Sequence, residues 1–199
     1  MMIVIEGTVG CGKTTLANHL SDYTGIKLYE ELTNDDTIVL LDKFYKDLKR
    51  WSFALQIHYL NERFKMIKTI NKNKTGILDR SIYGDKIFAQ MLNEDGNMTD
   101  DEYRTYIKLL DNMLEHVKPP QLTVYLKCST EIAINRINKR NRGLESEVPL
   151  LYWQRLNEKY DQWYDNFDKS EKMCIDVSNF DVFDYNQRLN VLENIMKFK

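Results

Sequence analysis

Residues 7 to 14 read Gly7-Thr8-Val9-Gly10-Cys11-Gly12-Lys13-Thr14, with Met2-Ile3-Val4-Ile5 before them and Thr15-Leu16-Ala17 after. The octet fits G-x-x-x-x-G-K-[ST], a pattern that carries meaning only between a strand and a helix. That context is present. The preceding apolar run is short, β-branched and uninterrupted, as a strand buried on both faces of a parallel sheet requires, and it ends at Glu6. After the loop, TTLANHLSDY predicts a helix that stops at Gly25. Glycines let the backbone turn so that several N–H groups converge on one phosphate, and the helix N-terminus adds a favourable dipole. Lys13 then reaches the β- and γ-phosphates and Thr14 holds magnesium. The loop thus predicts nucleotide contacts from Gly7, Thr8, Val9, Gly10, Cys11, Gly12, Lys13, Thr14 and Thr15. Cys11 is needed there only as a small side chain.

Outward from the loop, GIKLYE (25–30) predicts a second strand, and residues 36–72, free of proline and glycine, predict two long helices meeting near Arg50. GILD (76–79) is a third strand. Helices follow over about 82–92 and 100–117, separated by the turn-rich NEDGN and closed by Pro119 and Pro120. LTVYLKC (122–128) is a fourth strand feeding a basic helix from Thr130 towards Arg140, and another helix covers about 148–167. KMCIDV supplies a fifth strand and residues 182–198 a closing amphipathic helix. Strands separated by helices require long right-handed crossovers, so the fold class is α/β, three-layered, with a five-stranded parallel sheet flanked by helices. No repeats or linkers interrupt the 199 residues, which predict one domain over 1–199.

The composition, 43% hydrophobic and 29% charged, argues against disorder, and a formal net charge of -2 argues against a strongly basic nucleic-acid binder. Cys11, Cys128 and Cys174 are far apart and form no C-x-x-C pair, so reduced thiols are expected rather than a disulfide framework or zinc site. His19, His58 and His116 show no metal spacing. No apolar run approaches the length that crosses a bilayer, and MMIVIEG lacks the basic flank of a signal peptide, so a cytoplasmic protein is expected.

Several further motifs, in order from the loop to beyond Tyr152, resemble the deoxynucleoside kinase family. Glu30-Glu31-Leu32 resembles the family's E-P-V type motif, which implies that Glu30 is the base that orients the 5'-hydroxyl and accepts its proton. Because Glu31 replaces the proline, Glu31 stays open as the alternative. FYKDLKRWSFALQ (44–56) resembles the nucleoside-binding helices. Tyr45 matches the residue on the 3'-hydroxyl, Gln56 the base-binding glutamine, and Leu41 a further acceptor-site residue. Read without the resemblance, Leu41, Phe44, Trp51, Phe53 and Leu55 are core.

Asp79-Arg80-Ser81 resembles the acidic-Arg-Ser motif, usually begun by glutamate. It implies that Arg80 supports the transferring phosphate or the 5'-hydroxyl, and that Asp79 serves the magnesium shell, directly or through water. Arg63 and Asp85 match a pair that reads the edge of the base in deoxycytidine- and purine-preferring members and is generally missing from thymidine-preferring ones. Tyr59 stands where some relatives have smaller residues. RINKRNRGLE (136–145) resembles the arginine-rich lid, about 136–147, with Arg136, Arg140 and Arg142 closing over the phosphates and Glu145 on the 3'-hydroxyl beside Tyr45. Arg136 and Arg140 are four apart and share a helix face. Tyr152 matches a position near the lid.

The resemblance implies a P-loop kinase fold and in-line transfer of the ATP γ-phosphate, with Mg2+, to the 5'-hydroxyl of a deoxynucleoside, purine or deoxycytidine favoured over thymidine. It also implies a homodimer packed through the long helices between 36 and 72, and neither nucleic acid nor membrane as partner. Two other readings share the loop. A thymidylate-type monophosphate kinase needs extra basic groups for the acceptor's phosphate, and Tyr45, Gln56 and Glu145 suit an uncharged acceptor better. A nucleotide-binding switch would transfer no phosphate to a metabolite, and the guanine-reading N-K-x-D motif is not found.

Overall fold

The uninterrupted run Met2–Glu6 (β1) is the central strand of a five-stranded parallel sheet ordered β2-β3-β1-β4-β5. In the computed structural model, residues 1–30, 34–140 and 148–198 are described, Arg140 by its backbone alone. The other strands are Leu28–Tyr29 (β2), Gly76–Asp79 (β3), Leu122–Lys127 (β4) and Glu171–Asp176 (β5). The helices among the described residues are Lys13–Thr24 (α1), Asp35–Lys46 (α2), Leu48–Asn73 (α3), Ile82–Glu94 (α4), Asp100–Leu114 (α5), Thr130–Arg140 (α6), Leu150–Asn166 (α7) and Tyr185–Met196 (α8). None of them is long and apolar enough to cross a membrane.

Side chains alternate along β1, and the alternation divides the core. Ile3 and Ile5 pack with Leu16, Leu20, Val124, Leu192 and Ile195 on the face covered by α1 and α8. Met2 and Val4 pack with Leu60, Ile67, Leu78, Ala89 and Tyr106 on the face covered by α3, α4 and α5. A strand buried on both faces therefore sits between two helix layers, as its composition predicts. A third cluster, with Tyr125, Ile137, Trp153, Leu156, Tyr160 and Trp163, seats α6 and α7 beside β4.

Three sequence expectations need correction. The predicted second strand GIKLYE keeps only Leu28–Tyr29, because Gly25 ends α1 in a left-handed cap and β2 is an edge strand paired to β3 alone. The two long helices meet at Asp47 rather than Arg50. Asp47 leaves the helical region at φ -151 and ψ 88, and its side chain accepts the Arg50 N–H at 3.0 Å, capping α3. The closing helix likewise starts at Tyr185 because Asp184 caps it by accepting the Gln187 N–H at 2.8 Å.

Candidate active site

Strand register brings the polar residues together. Tyr29 pairs with Leu78, and Asp79 with Ile5, so Glu30, the Asp79-Arg80 turn and the phosphate loop all emerge at the carboxyl edge of three adjacent strands. That edge is where open α/β sheets bind ligands.

The loop needs its glycines. Gly10 and Gly12 stand at φ +81 and +102, and a Cβ on Gly10 would lie 2.5 Å from the Ala133 carbonyl oxygen on α6. Lys13 is buried and its Nζ donates to the Thr8 carbonyl at 2.8 Å. From α6, Arg136 Nη1 donates to the Cys11 carbonyl at 2.9 Å, which places one of the predicted arginines on the loop. Cys11 is fully buried, consistent with a packing role.

Thr14 Oγ1 donates to Asp79 Oδ2 at 2.5 Å, joining the start of α1 to the end of β3. Asp79 is completely buried, and its Oδ1 has no hydrogen-bond partner among the described residues. An orphaned carboxylate oxygen beside a hydroxyl is a hard oxygen donor set, which fits Mg2+ rather than a softer metal.

Arg80 holds a left-handed backbone, φ 69, uncommon outside glycine. Its N–H donates to the Ile5 carbonyl at 2.9 Å. The guanidinium lies 4.9 Å from the Phe88 ring and 5.8 Å from the Tyr160 ring, and it donates to the Tyr160 hydroxyl. This aromatic clamp fixes a buried cation. Ser81 caps α4 by accepting the Tyr83 N–H at 3.2 Å.

Arg63 and Asp85 form the predicted pair, Nε to Oδ2 at 3.1 Å, both nearly excluded from solvent. Arg63 Nη1 also donates to the Asp79 carbonyl at 2.9 Å, which ties the pair to the end of β3. The Tyr106 hydroxyl is buried close by, and burial foremost, with the Asp85 charge, pushes its phenol above the ordinary range.

The remaining predicted acceptor residues lie on α2 and α3, with Leu41 and Tyr45 half-buried, Gln56 buried and Tyr59 half-buried. Tyr152 on α7 is close enough to Tyr45 and Arg80 for their charges to bear on it, though burial is the larger influence raising its phenol. Glu30 is exposed, one residue beyond β2. Glu31, Arg142 and Glu145 lie outside the described residues, as does the Arg140 side chain.

Three residues escaped the sequence reading. Phe88 and Tyr160, which clamp Arg80, read as ordinary helix core at helical spacing, and nothing local marks them. Glu6 had a signal: a carboxylate closing a strand whose other residues are wholly apolar. His58, assigned no role, makes a 2.8 Å hydrogen bond through Nε2 with Thr37 Oγ1. Thr37 in turn donates to the α2 cap Asn34 at 2.7 Å.

Comparison with known proteins agrees with this geometry. The family model described as deoxynucleoside kinase matches residues 3–198. A deoxyguanosine kinase of Lactobacillus johnsonii is 38% identical over 189 residues, covering 90% of this chain and 84% of its own. A deoxyadenosine/deoxycytidine kinase of Bacillus subtilis is 36% identical over 199 residues, covering 98% and 91%. Among solved structures, a deoxyadenosine kinase from M. mycoides with the products dCMP and a flexible dCDP bound superposes with a TM-score of 0.87 at 30% identity, covering 99% of this chain and 100% of its own. With a phosphate loop, a buried Arg–Asp pair and a clamped arginine at one sheet edge, and relatives of this kind along its whole length, the chain belongs to the deoxynucleoside kinase family and is a phosphotransferase acting on deoxynucleosides.

Proposed function

We propose that this kinase transfers the γ-phosphate of ATP to the 5'-hydroxyl of deoxyadenosine, deoxyguanosine or deoxycytidine in preference to thymidine, as a step of nucleotide salvage. The observation that carries the reading is the buried Arg63–Asp85 pair, held 3.1 Å apart, whose directed donors and acceptors suit the edge of a base. Such a pair is costly to bury unless it serves a partner. Relatives named for deoxyguanosine, deoxyadenosine and deoxycytidine support the same preference.

In this reading Lys13 and the loop N–H groups hold the donor phosphates, and Arg136, with Arg140 and Arg142, offsets the charge that spreads over the equatorial oxygens. Glu30 orients the 5'-hydroxyl and takes its proton, while Arg80 steadies the transferring phosphate from its aromatic clamp. Leu41, Tyr45, Gln56 and Glu145 seat the sugar and base. Thr14 and Asp79 would hold Mg2+, which would supply charge neutralisation for the phosphates. Residues 1–199 act as one domain, with the segment about 136–147 as its lid. The long helices α2 and α3 serve a homodimer, tested by sedimentation at twice the monomer mass. The three unpaired thiols suit the reducing cytoplasm.

The deciding experiment offers Mg2+-ATP with deoxyadenosine, deoxyguanosine, deoxycytidine, thymidine and thymidine monophosphate, alongside Glu30→Gln. Transfer to a purine deoxynucleoside or deoxycytidine is expected, with kcat in the variant reduced about 100-fold or more. Transfer to the monophosphate alone refutes the acceptor assignment, and unchanged turnover in Glu30→Gln refutes Glu30 as the base.

A further inference from the structure

Two successive residues at the end of β1 hold the backbone on both sides of Arg80. The Ile5 carbonyl accepts the Arg80 N–H at 2.9 Å. Glu6 Oε1 accepts the next N–H, that of Ser81, at 2.8 Å, and the Ser81 hydroxyl at 2.6 Å. Arg80 is thereby pinned in its left-handed conformation, φ 69, between two peptide groups anchored to one strand. That strand continues directly into the phosphate loop at Gly7. The first anchor is a ladder bond that any residue would make, whereas the second needs the Glu6 side chain.

Nothing about packing asks for a carboxylate here. Glu6 is completely buried, and an apolar residue would continue the Met2-Ile3-Val4-Ile5 run at far lower desolvation cost. Its Oε2 has no hydrogen-bond partner among the described residues. Burial pushes the carboxyl above the ordinary range, and the Arg80 guanidinium is the largest influence in the other direction. The fold also gives up helix propensity to admit it. Gly84, in the first turn of α4, would with a Cβ place that atom 2.6 Å from Oε2 and 2.8 Å from Oε1.

We propose that Glu6 is a positioning residue for phosphoryl transfer: through Ser81 it locks the Arg80 backbone and so fixes the guanidinium against the strand that carries the phosphate loop. The proposal rests on the reading that Arg80 acts on the transferring phosphate. The donor loop follows β1 and the arginine follows β3, so their relative placement depends on bonds between the two strand ends, and misplacement by about 1 Å is enough to cost about 100-fold in rate.

The test measures kcat, both KM values and thermal melting for Glu6→Ala, Glu6→Asp, Glu6→Gln, Gly84→Ala and Arg80→Gln. Glu6→Asp withdraws the carboxylate from Ser81, and Gly84→Ala displaces it without altering Glu6. In these two and in Glu6→Ala, kcat is expected to fall about 100-fold with each KM within about threefold of the parent. Glu6→Gln, which keeps an acceptor for Ser81, is expected to recover to within about tenfold. A kcat within about threefold of the parent in any folded member of the trio overturns the proposal, as does Glu6→Gln performing no better than Glu6→Ala. Failure of all three to fold also overturns it, since the residue would then be structural. Arg80→Gln separates the premise: if it keeps its kcat, the assignment of Arg80 fails, whereas if it loses kcat while the Glu6 trio does not, only the proposal fails.

Discussion

Single atoms decide much of this site. Gly10→Ala would drive a methyl into the Ala133 carbonyl from a left-handed backbone, so the loop must shift relative to α6. The expected outcome is a KM for ATP raised about tenfold or more with the fold intact, checked by steady-state kinetics and circular dichroism. Arg63→Ala strips a buried carboxylate of its guanidinium and the Asp79 carbonyl of a donor. It should cost about 3–5 kcal/mol of stability, read from denaturant midpoints. At this scale the loop was legible because chemistry forces its residue identities, and Asp79-Arg80-Ser81 and the Arg63–Asp85 pair because they resemble the family's motifs; the structure joins that pair across 22 positions. It was silent where identity follows only from what lies opposite. Tyr160 faces Arg80 from 80 residues away, and no periodicity encodes that meeting.

At the scale of elements, caps set boundaries that hydrophobic runs do not. Asp47 divides two helices whose apolar pattern continues across the junction, so the reading placed the break a few residues late. Between α4 and α7, Arg155 reaches Glu94 at 3.1 Å and Asp95 at 2.6 Å, while Lys159 reaches Glu94 at 2.8 Å. The Lys159 hydrogen bond foremost holds the Glu94 carboxyl below its ordinary value. A depressed carboxylate contributes stability above its unfolded-state value, and the contribution disappears as pH falls through the folded-state value. Glu94→Gln should therefore lower the melting temperature by about 2 °C at neutral pH, for a partly exposed network worth about 1 kcal/mol. Once the pH has fallen below the folded-state value, the variant and parent should melt together. The prediction is checked by melting both proteins across that range.

Over the whole molecule, the three thiols report on integrity. Cys11 and Cys128 are buried and Cys174 is exposed, and burial pushes the Cys128 thiol up to about 11. A thiol reagent at neutral pH should modify Cys174 alone in the native protein and all three after denaturation. Any fast second equivalent would contradict the packing described for the loop. The layered arrangement was legible because strand and helix periods alternate along the chain, whereas the strand order β2-β3-β1-β4-β5 depends on pairings that no local pattern states. That order has a consequence for synthesis. The central strand is translated before either neighbour: Ile3 waits for Ile77, and then for Leu122. A nascent chain must therefore carry Met2-Ile3-Val4-Ile5 without a sheet partner until β3 is made, and with one edge still unpaired until β4 follows, exposed to edge-to-edge pairing. The residues that seat the phosphate loop are thus also those that need protection until β3 and β4 have emerged.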